Sequence, residues 1–317
     1  MMMNSKIVVI TTTRCNLRCK HCLRGYYSEQ TDVPLDLLAL TFQEAKQLGF
    51  RHAGLTGGEP VMHPDFNAMV ALINSLGFTW SFVSNGMLYK QYEAAVREYG
   101  ATCTYAAISL DGLEESHDAI RTPGSFVKAL EAIDFFKELG IYTKIGFTLN
   151  TLNYTELPDI LELALERCVD AVMFASVIPN AINGSLVLSW EQKKAAHTLI
   201  AEAKAALPIC IDYVTSLYAL QDTDRFCGNL NDPEPAINPY SEYIMCCDTD
   251  GKGAVVGNLQ TESFTELFIK HLKQMVSLKA MRRKLIADNK TFEHFNSCHF
   301  CNKTLLSESM QKGDIYG

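Results

Sequence analysis

The sequence predicts an α/β fold: a partial (β/α)6 barrel followed by a small C-terminal domain. Three observations carry this. Short apolar, β-branched runs alternate with amphipathic stretches of helical period through the first two thirds of the chain. The alternation yields six strand–helix units, as parallel strands joined by crossover helices require. Polar or glycine motifs stand where the apolar runs stop, and barrels of this kind collect their chemistry at the C-terminal ends of their strands.

The strand runs are 6–13, 52–57, 79–84, 104–110, 141–149 and 170–178, with helical stretches at 34–49, 65–76, 88–99, 125–139 and 154–168 between them. In 125–139, Phe126, Leu130, Ile133 and Phe136 to Leu139 share a face. Ser125 is placed to cap its start and Gly140 to end it. The second strand ends in Thr56-Gly57-Gly58-Glu59-Pro60, the third in Ser84-Asn85-Gly86 and the fourth in Ser109-Leu110-Asp111-Gly112. The fifth ends in Thr148-Leu149-Asn150 and the sixth in Ser176-Val177-Ile178-Pro179. Beyond residue 180 the rhythm changes to a helix at 189–206 and a β-rich piece at 209–214. A boundary near 207–215 divides residues 1–207 from 208–317.

A chain of 317 residues that is 48% hydrophobic can bury a full core. A formal net charge of -8 with no basic run argues against a nucleic-acid partner. No signal peptide is visible, and no apolar run approaches the roughly 20 residues that span a bilayer. The expected address is the cytosol, without a membrane partner, where eleven cysteines are not read as disulfides. Three cluster early, and five come late: Cys227, Cys246, Cys247, Cys298 and Cys301. The scattered Cys103, Cys168 and Cys210 are read as small buried hydrophobes.

The early three, Cys15, Cys19 and Cys22, follow the first strand in a C-x3-C-x2-C loop. A [4Fe–4S] cluster normally takes four cysteines, so three leave one iron open to a substrate or cofactor. Spacing and placement resemble the cluster loop of the radical S-adenosylmethionine (radical SAM) enzymes. Gly57-Gly58-Glu59-Pro60 is weak alone, but after such a loop it resembles the family's GGE motif. The stretch from Ser109-Leu110-Asp111-Gly112 through His117-Asp118 to Arg121 is similar to a further family pattern.

The resemblance covers about residues 6–180, and its implications are specific. A [4Fe–4S] cluster on Cys15, Cys19 and Cys22 would be reduced by a flavodoxin- or ferredoxin-like donor. S-adenosylmethionine (SAM) would be cleaved to a 5′-deoxyadenosyl radical that abstracts a hydrogen atom. Gly57, Gly58 and Glu59 would meet the SAM amino group, Ser109 or Asp111 the ribose, and Arg121 the SAM carboxylate, a natural guanidinium partner. Ser84, Asn85 and Asn150 would line the same pocket. His21 stands where many members carry an aromatic residue and is not read as a ligand. His117 is read as a surface or capping residue.

The late cysteines resemble the auxiliary-cluster domains called SPASM and twitch. Five cysteines cannot supply two sets of four, so the single-cluster twitch form is the closer fit. The resemblance implies Cys227, Cys246, Cys298 and Cys301 as ligands of an auxiliary [4Fe–4S] cluster. Zinc remains the structural alternative, since four thiolates suit either, and His294 or His299 can replace a ligand. Cys247 is then spare, a candidate hydrogen-atom donor to a substrate radical.

The expected function is radical chemistry on a peptide or small natural product, by epimerisation with Cys247 as donor or by two-electron oxidation. Peptide crosslinking or thioether formation is the alternative. With the loop beginning at Cys15, no leader-binding domain is expected on this chain. An iron–sulfur electron carrier without SAM turnover is the rival of another class, and the SAM-type motifs argue against it.

Overall fold

The structure, a computed structural model, describes residues 6–25, 27, 29–180, 182–213, 232–248 and 255–288. Its centre is a parallel sheet. Strands β1 (Lys6–Ile10), β2 (His52–Thr56), β3 (Thr79–Ser84), β4 (Cys103–Ser109), β5 (Thr143–Leu149), β6 (Ala171–Ser176) and β7 (Cys210–Tyr213) pair in chain order, each parallel to its neighbour. The six expected strands are all present. β1 stops earlier than its apolar run because residues 11–13 turn to pair with a later segment. There the Val33 amide donates to Thr11 O and the Thr13 amide to Thr31 O, both at 2.9 Å.

Successive strand residues face opposite ways. Ile7, Val9, Leu55, Phe82, Ile108, Ile145, Phe147 and Phe174 turn to the helices and form the main core. The helices meet them with faces at the 3.6-residue period. α1 (Leu35–Gln47) buries Leu38, Thr41, Phe42 and Ala45; α2 (Phe66–Ser75) buries Phe66, Met69, Val70 and Ile73. α3 (Glu93–Tyr99) continues a 3₁₀ turn over Tyr89–Tyr92. α4 (Glu114–Ile120), a seven-residue helix, was not expected from the sequence. α5 (Ser125–Glu138) buries Ala129, Ala132, Ile133 and Phe136, and α6 (Leu157–Glu166) buries Leu157, Ile160, Leu161 and Ala164. α7 (Trp190–Ala206) starts with a capping box between Ser189 and Gln192.

The other sheet face holds Val8, Ile10, Gly54, Ser81, Ala107, Ser109 and Gly146, mostly small residues that leave room beneath the strand ends. Past residue 207, β7 extends the β6 edge and the described chain resumes at the opposite edge. β8 (Ala236–Ile237) runs parallel to β1, pairing Val8 with Ala236. β9 (Glu242–Ile244) and β10 (Val255–Asn258) follow antiparallel, completing ten strands in the order β10-β9-β8-β1-β2-β3-β4-β5-β6-β7. α8 (Phe264–Asp288) packs on α1, with Phe264 and Phe268 edge-on to Phe50 at 5.6 and 5.2 Å. Among the described residues no helix is long and apolar enough to cross a membrane.

Some single-residue expectations change. Asp118, not Ser125, caps α5, accepting from the amides of Gly124 and Phe126, while Ser125 Oγ donates to Thr122 O at 2.6 Å. Gly140 does sit left-handed past the helix end, at φ 71°. Of the scattered cysteines only Cys103 is partly buried; burial pushes its thiol up to about 12. Cys168 and Cys210 are exposed, Cys168 in a left-handed turn after α6 and Cys210 on the edge strand.

Candidate functional site

The loop carrying Cys15, Cys19 and Cys22 leaves β1 and crosses the C-terminal ends of the strands, where it is tied to nearly every neighbour. Arg14, just before Cys15, grips Asp32 through Nε and Nη2 at 3.0–3.1 Å. At the end of β2, the amides of Gly58 and Glu59 donate to Thr12 O and Arg14 O, each at 2.8 Å. A Cβ on Gly58 would collide with Arg14 O and stand 3.0 Å from Cys15 Cβ. Glycine is needed there so that the loop itself can approach, before any ligand is considered.

Glu59 is fully buried. Its carboxylate accepts from Ser84 Oγ and the Asn85 amide, each at 2.8 Å, and from the Tyr92 hydroxyl. Burial pushes its carboxyl up, and those three donors oppose the shift. It thereby fixes the end of β3. Asn85 in turn donates to Asn16 Oδ1 at 2.9 Å and reaches Cys15 Sγ at 3.9 Å.

At the end of β4, Asp111 is buried at the hub of a charged network. Its Oδ2 accepts from Arg121 Nε at 2.6 Å and meets His21 Nε2 at 2.6 Å; its Oδ1 accepts from the Thr148 amide at 2.8 Å. Burial alone would raise this carboxyl, but Arg121 and His21 hold it far below the usual carboxylate range. Arg121 Nη1 donates to Cys19 Sγ at 3.8 Å. His117 is wholly buried rather than at the surface. Its Nδ1 accepts from the Asp111 amide at 2.9 Å, and burial lowers its imidazole to about 4. Asn85, Asp111, Arg121 and Glu59 thus converge on the cysteine loop. Ser109 is partly buried in β4, and Asn150 is held in its own turn, its side chain accepting from the Leu152 amide and donating to Thr148 O.

Two residues that the sequence reading passed over, Asn153 and Asn183, organise this end of the barrel. Asn153 donates to Asp111 O, and Asn183 to Ile178 O, both at 3.0 Å, with His21 O 3.3 Å from Asn183 Nδ2. Each also accepts from the amide of the asparagine three positions earlier, Asn150 or Asn180, at 2.8 Å. The same Asn-x2-Asn turn therefore follows two successive strands, a spacing that was visible in the sequence. Asn180 adds a bond to Cys22 O at 3.2 Å.

These residues fit an iron–sulfur cluster. Burial pushes the Cys19 thiol up to about 11 and raises that of Cys15, so the thiolates need a compensating cation. N–H donors aim at the sulfurs: Leu17 N lies 3.4 Å from Cys15 Sγ, beside the Asn85 and Arg121 contacts. Among the described residues the only three-donor group drawn within 4.8 Å is Cys246, Cys247 and Asp248, so the three loop thiols stand wider than a single ion needs. Three soft thiolates suit an iron–sulfur centre.

Of the later residues, Cys246 Sγ accepts from the Asp248 amide at 3.4 Å, the same i to i+2 turn that Cys15 makes with Leu17. Cys247 packs against Val8, Ile10, Ala236 and Ile244, on the sheet face opposite the helices. Cys227, Cys298 and Cys301, like His294 and His299, lie outside the described residues.

Residues 9–164 match the family described as the radical SAM superfamily. The chain is 30% identical over 203 residues to Fe-coproporphyrin III synthase of Methanosarcina barkeri, covering 60% of this chain and 49% of that protein. It is 32% identical over 159 residues to mycofactocin maturase MftC of Mycobacterium ulcerans, covering 48% and 42% respectively. The solved structure of anSMEcpe with bound AdoMet and Cp18Cys peptide superposes with a TM-score of 0.70 at 13% identity, over 97% of each chain, a likeness of fold. The chain spans about half or less of the length of these two curated relatives.

Proposed function

The chain belongs to the radical SAM superfamily, and from that premise we propose that it cleaves SAM reductively and takes a hydrogen atom from a peptide. Cys15, Cys19 and Cys22 would hold a [4Fe–4S] cluster that, given one electron by a flavodoxin- or ferredoxin-like donor, would supply the reductive cleavage of SAM to methionine and a 5′-deoxyadenosyl radical. The chain's own residues position and shield. Gly57, Gly58, Glu59, Ser84 and Asn85 form one wall of the SAM pocket, and Ser109, Asp111, Arg121 and Asn150 the other. The observation that carries the reading is the convergence of the β2, β3 and β4 ends on the three-cysteine loop, with Arg121 and Asn85 aimed at its sulfurs.

A peptide substrate is supported by the maturase relative and by the peptide-bound fold neighbour. The relative named Fe-coproporphyrin III synthase favours a second reading, a tetrapyrrole substrate.

Cys246 is proposed as an auxiliary-cluster ligand with Cys227, Cys298 and Cys301; its amide-to-sulfur turn, shared with Cys15, supports it over Cys247. Cys247 is the proposed hydrogen-atom donor for epimerisation, supported by its packing against the apolar cluster of Val8, Ile10, Ala236 and Ile244 on the sheet face opposite the helices. Its S–H bond breaks as a substrate C–H bond forms, leaving a thiyl radical. One electron from the flavodoxin- or ferredoxin-like donor and one proton would restore the thiol.

The test is anaerobic reconstitution, iron counting and incubation with dithionite, SAM and either a peptide panel or coproporphyrin, reading 5′-deoxyadenosine. In D2O, epimerisation adds one deuterium to the product, whereas oxidation removes two hydrogens. Cys15→Ala, Cys19→Ala and Cys22→Ala should each abolish 5′-deoxyadenosine. Cys247→Ala should retain it and lose the deuterated epimer. Bound iron without SAM cleavage under any condition would leave an electron carrier.

A further inference from the structure

Arg121 and Asp111 form a compensated ion pair directly behind one cysteine of the loop. The Arg121 side chain is 8% exposed and that of Asp111 0%. One end of the guanidinium is held by Asp111 at 2.6 Å, and the other reaches Cys19 Sγ at 3.8 Å. Asp111 is itself fixed by the Thr148 amide and by His21. No other cationic side chain among the described residues has a hydrogen bond to a loop sulfur.

A cluster gains one negative charge on reduction. Net charge, burial and hydrogen bonds to its sulfurs set its potential. A cation at Cys19 favours the reduced state, while a carboxylate on the far side of that cation opposes it. Because both side chains of the pair are buried, neither charge is screened as it would be in water.

We propose that Arg121 and Asp111 act as opposed charge-setting residues for the cluster, Arg121 raising its reduction potential through Cys19 and Asp111 limiting the rise. This rests on the cluster being carried by Cys15, Cys19 and Cys22. It adds a task for Arg121 that is separable from any contact with SAM, because it operates without SAM.

The experiment is an EPR-monitored redox titration of reconstituted full-length protein with no SAM present. Arg121→Gln should shift the potential negative and Asp111→Asn positive, each changing the reduced-to-oxidised ratio at fixed potential by at least about tenfold, about 59 mV for a one-electron couple. The double variant, which removes both charges, should fall between the singles. If Asp111→Asn does not fold, the double variant lying positive of Arg121→Gln carries the test alone. A purely structural role would move both singles the same way or leave both unshifted, and either result overturns the proposal. Wild-type protein that assembles no cluster overturns this proposal together with the reading beneath it; a wild-type cluster with variants at the wild-type potential overturns this proposal alone.

Discussion

Arg24 Nη2 donates to the carbonyl oxygen of Cys247 at 2.9 Å, joining the loop of Cys15, Cys19 and Cys22 to the turn of Cys246 and Cys247. The bond links a side chain two positions after Cys22 to a strand-end turn from the far edge of the sheet. Arg24→Ala should cost about 1–3 kcal/mol, because it leaves a partly buried carbonyl without its donor. It should also speed alkylation of Cys247 in the cluster-free protein, read by peptide mass mapping. Unchanged labelling would mean the turn holds without Arg24.

Gly58→Ala should be among the most damaging single-methyl changes in the chain. The new Cβ meets backbone, Arg14 O, which cannot swing aside as a side chain would. The cysteine loop must lift from the β2 end and give up the 2.8 Å bonds at Gly58 and Glu59. A loss of about 3 kcal/mol in denaturant unfolding is expected, with iron uptake reduced severalfold. Gly124→Ala meets nothing within 4 Å and should show only the cost of its left-handed backbone, leaving iron uptake unaffected.

Asn183→Ala removes the amide donor to Ile178 O and the partner of His21 O, and the acceptor of the Asn180 amide. A cost of roughly 2 kcal/mol is expected. Hydrogen exchange should speed up most in the cysteine loop and the turn after β6. An increase spread evenly over the chain would instead mean that Asn183 acts through global stability.

His117 and His271 are buried, and burial holds each near a pKa of about 4, below the ordinary 6.5. The unfolded chain therefore binds their protons first as pH falls. Their contribution is fully present above about pH 6.5 and is lost progressively toward pH 4, by up to about 3 kcal/mol each. Urea unfolding of cluster-free protein across that range should show the fall. His271→Phe should lessen the fall, since it removes one of the buried histidines; His52, also held at about 4, continues to contribute.

The barrel was legible because parallel strands and their helices write themselves locally, in runs such as Ile7-Val8-Val9-Ile10 and in the helical spacing of Phe66, Met69, Val70 and Ile73. The cysteine loop and the glycines facing it were legible through spacing. The His21–Asp111–Arg121 network was not. His21 and Asp111 lie 90 positions apart, and no periodicity connects a loop histidine to a strand-end aspartate. His117 was misjudged for the same reason: its burial comes from the Asp111 amide and Phe126, not from the seven-residue helix that carries it. The paired asparagines could have been found, since Asn150/Asn153 and Asn180/Asn183 repeat one spacing after consecutive strands. That repeat marks turns whose side chains replace missing backbone partners.

The pairing of Val8 with Ala236 has a consequence for how the chain is made. β1 leads into the cysteines, yet one of its edges is covered by a strand, Ala236–Ile237, that is synthesised long after it. At ribosomal speeds of about 5–20 residues per second, that edge waits roughly 10–45 s. During this interval β1 is an open template for mispairing, and the loop of Cys15, Cys19 and Cys22 still lacks the clasp from Arg24 to Cys247. Topology thus places the cysteine loop early in synthesis and the closure of the sheet beside it late.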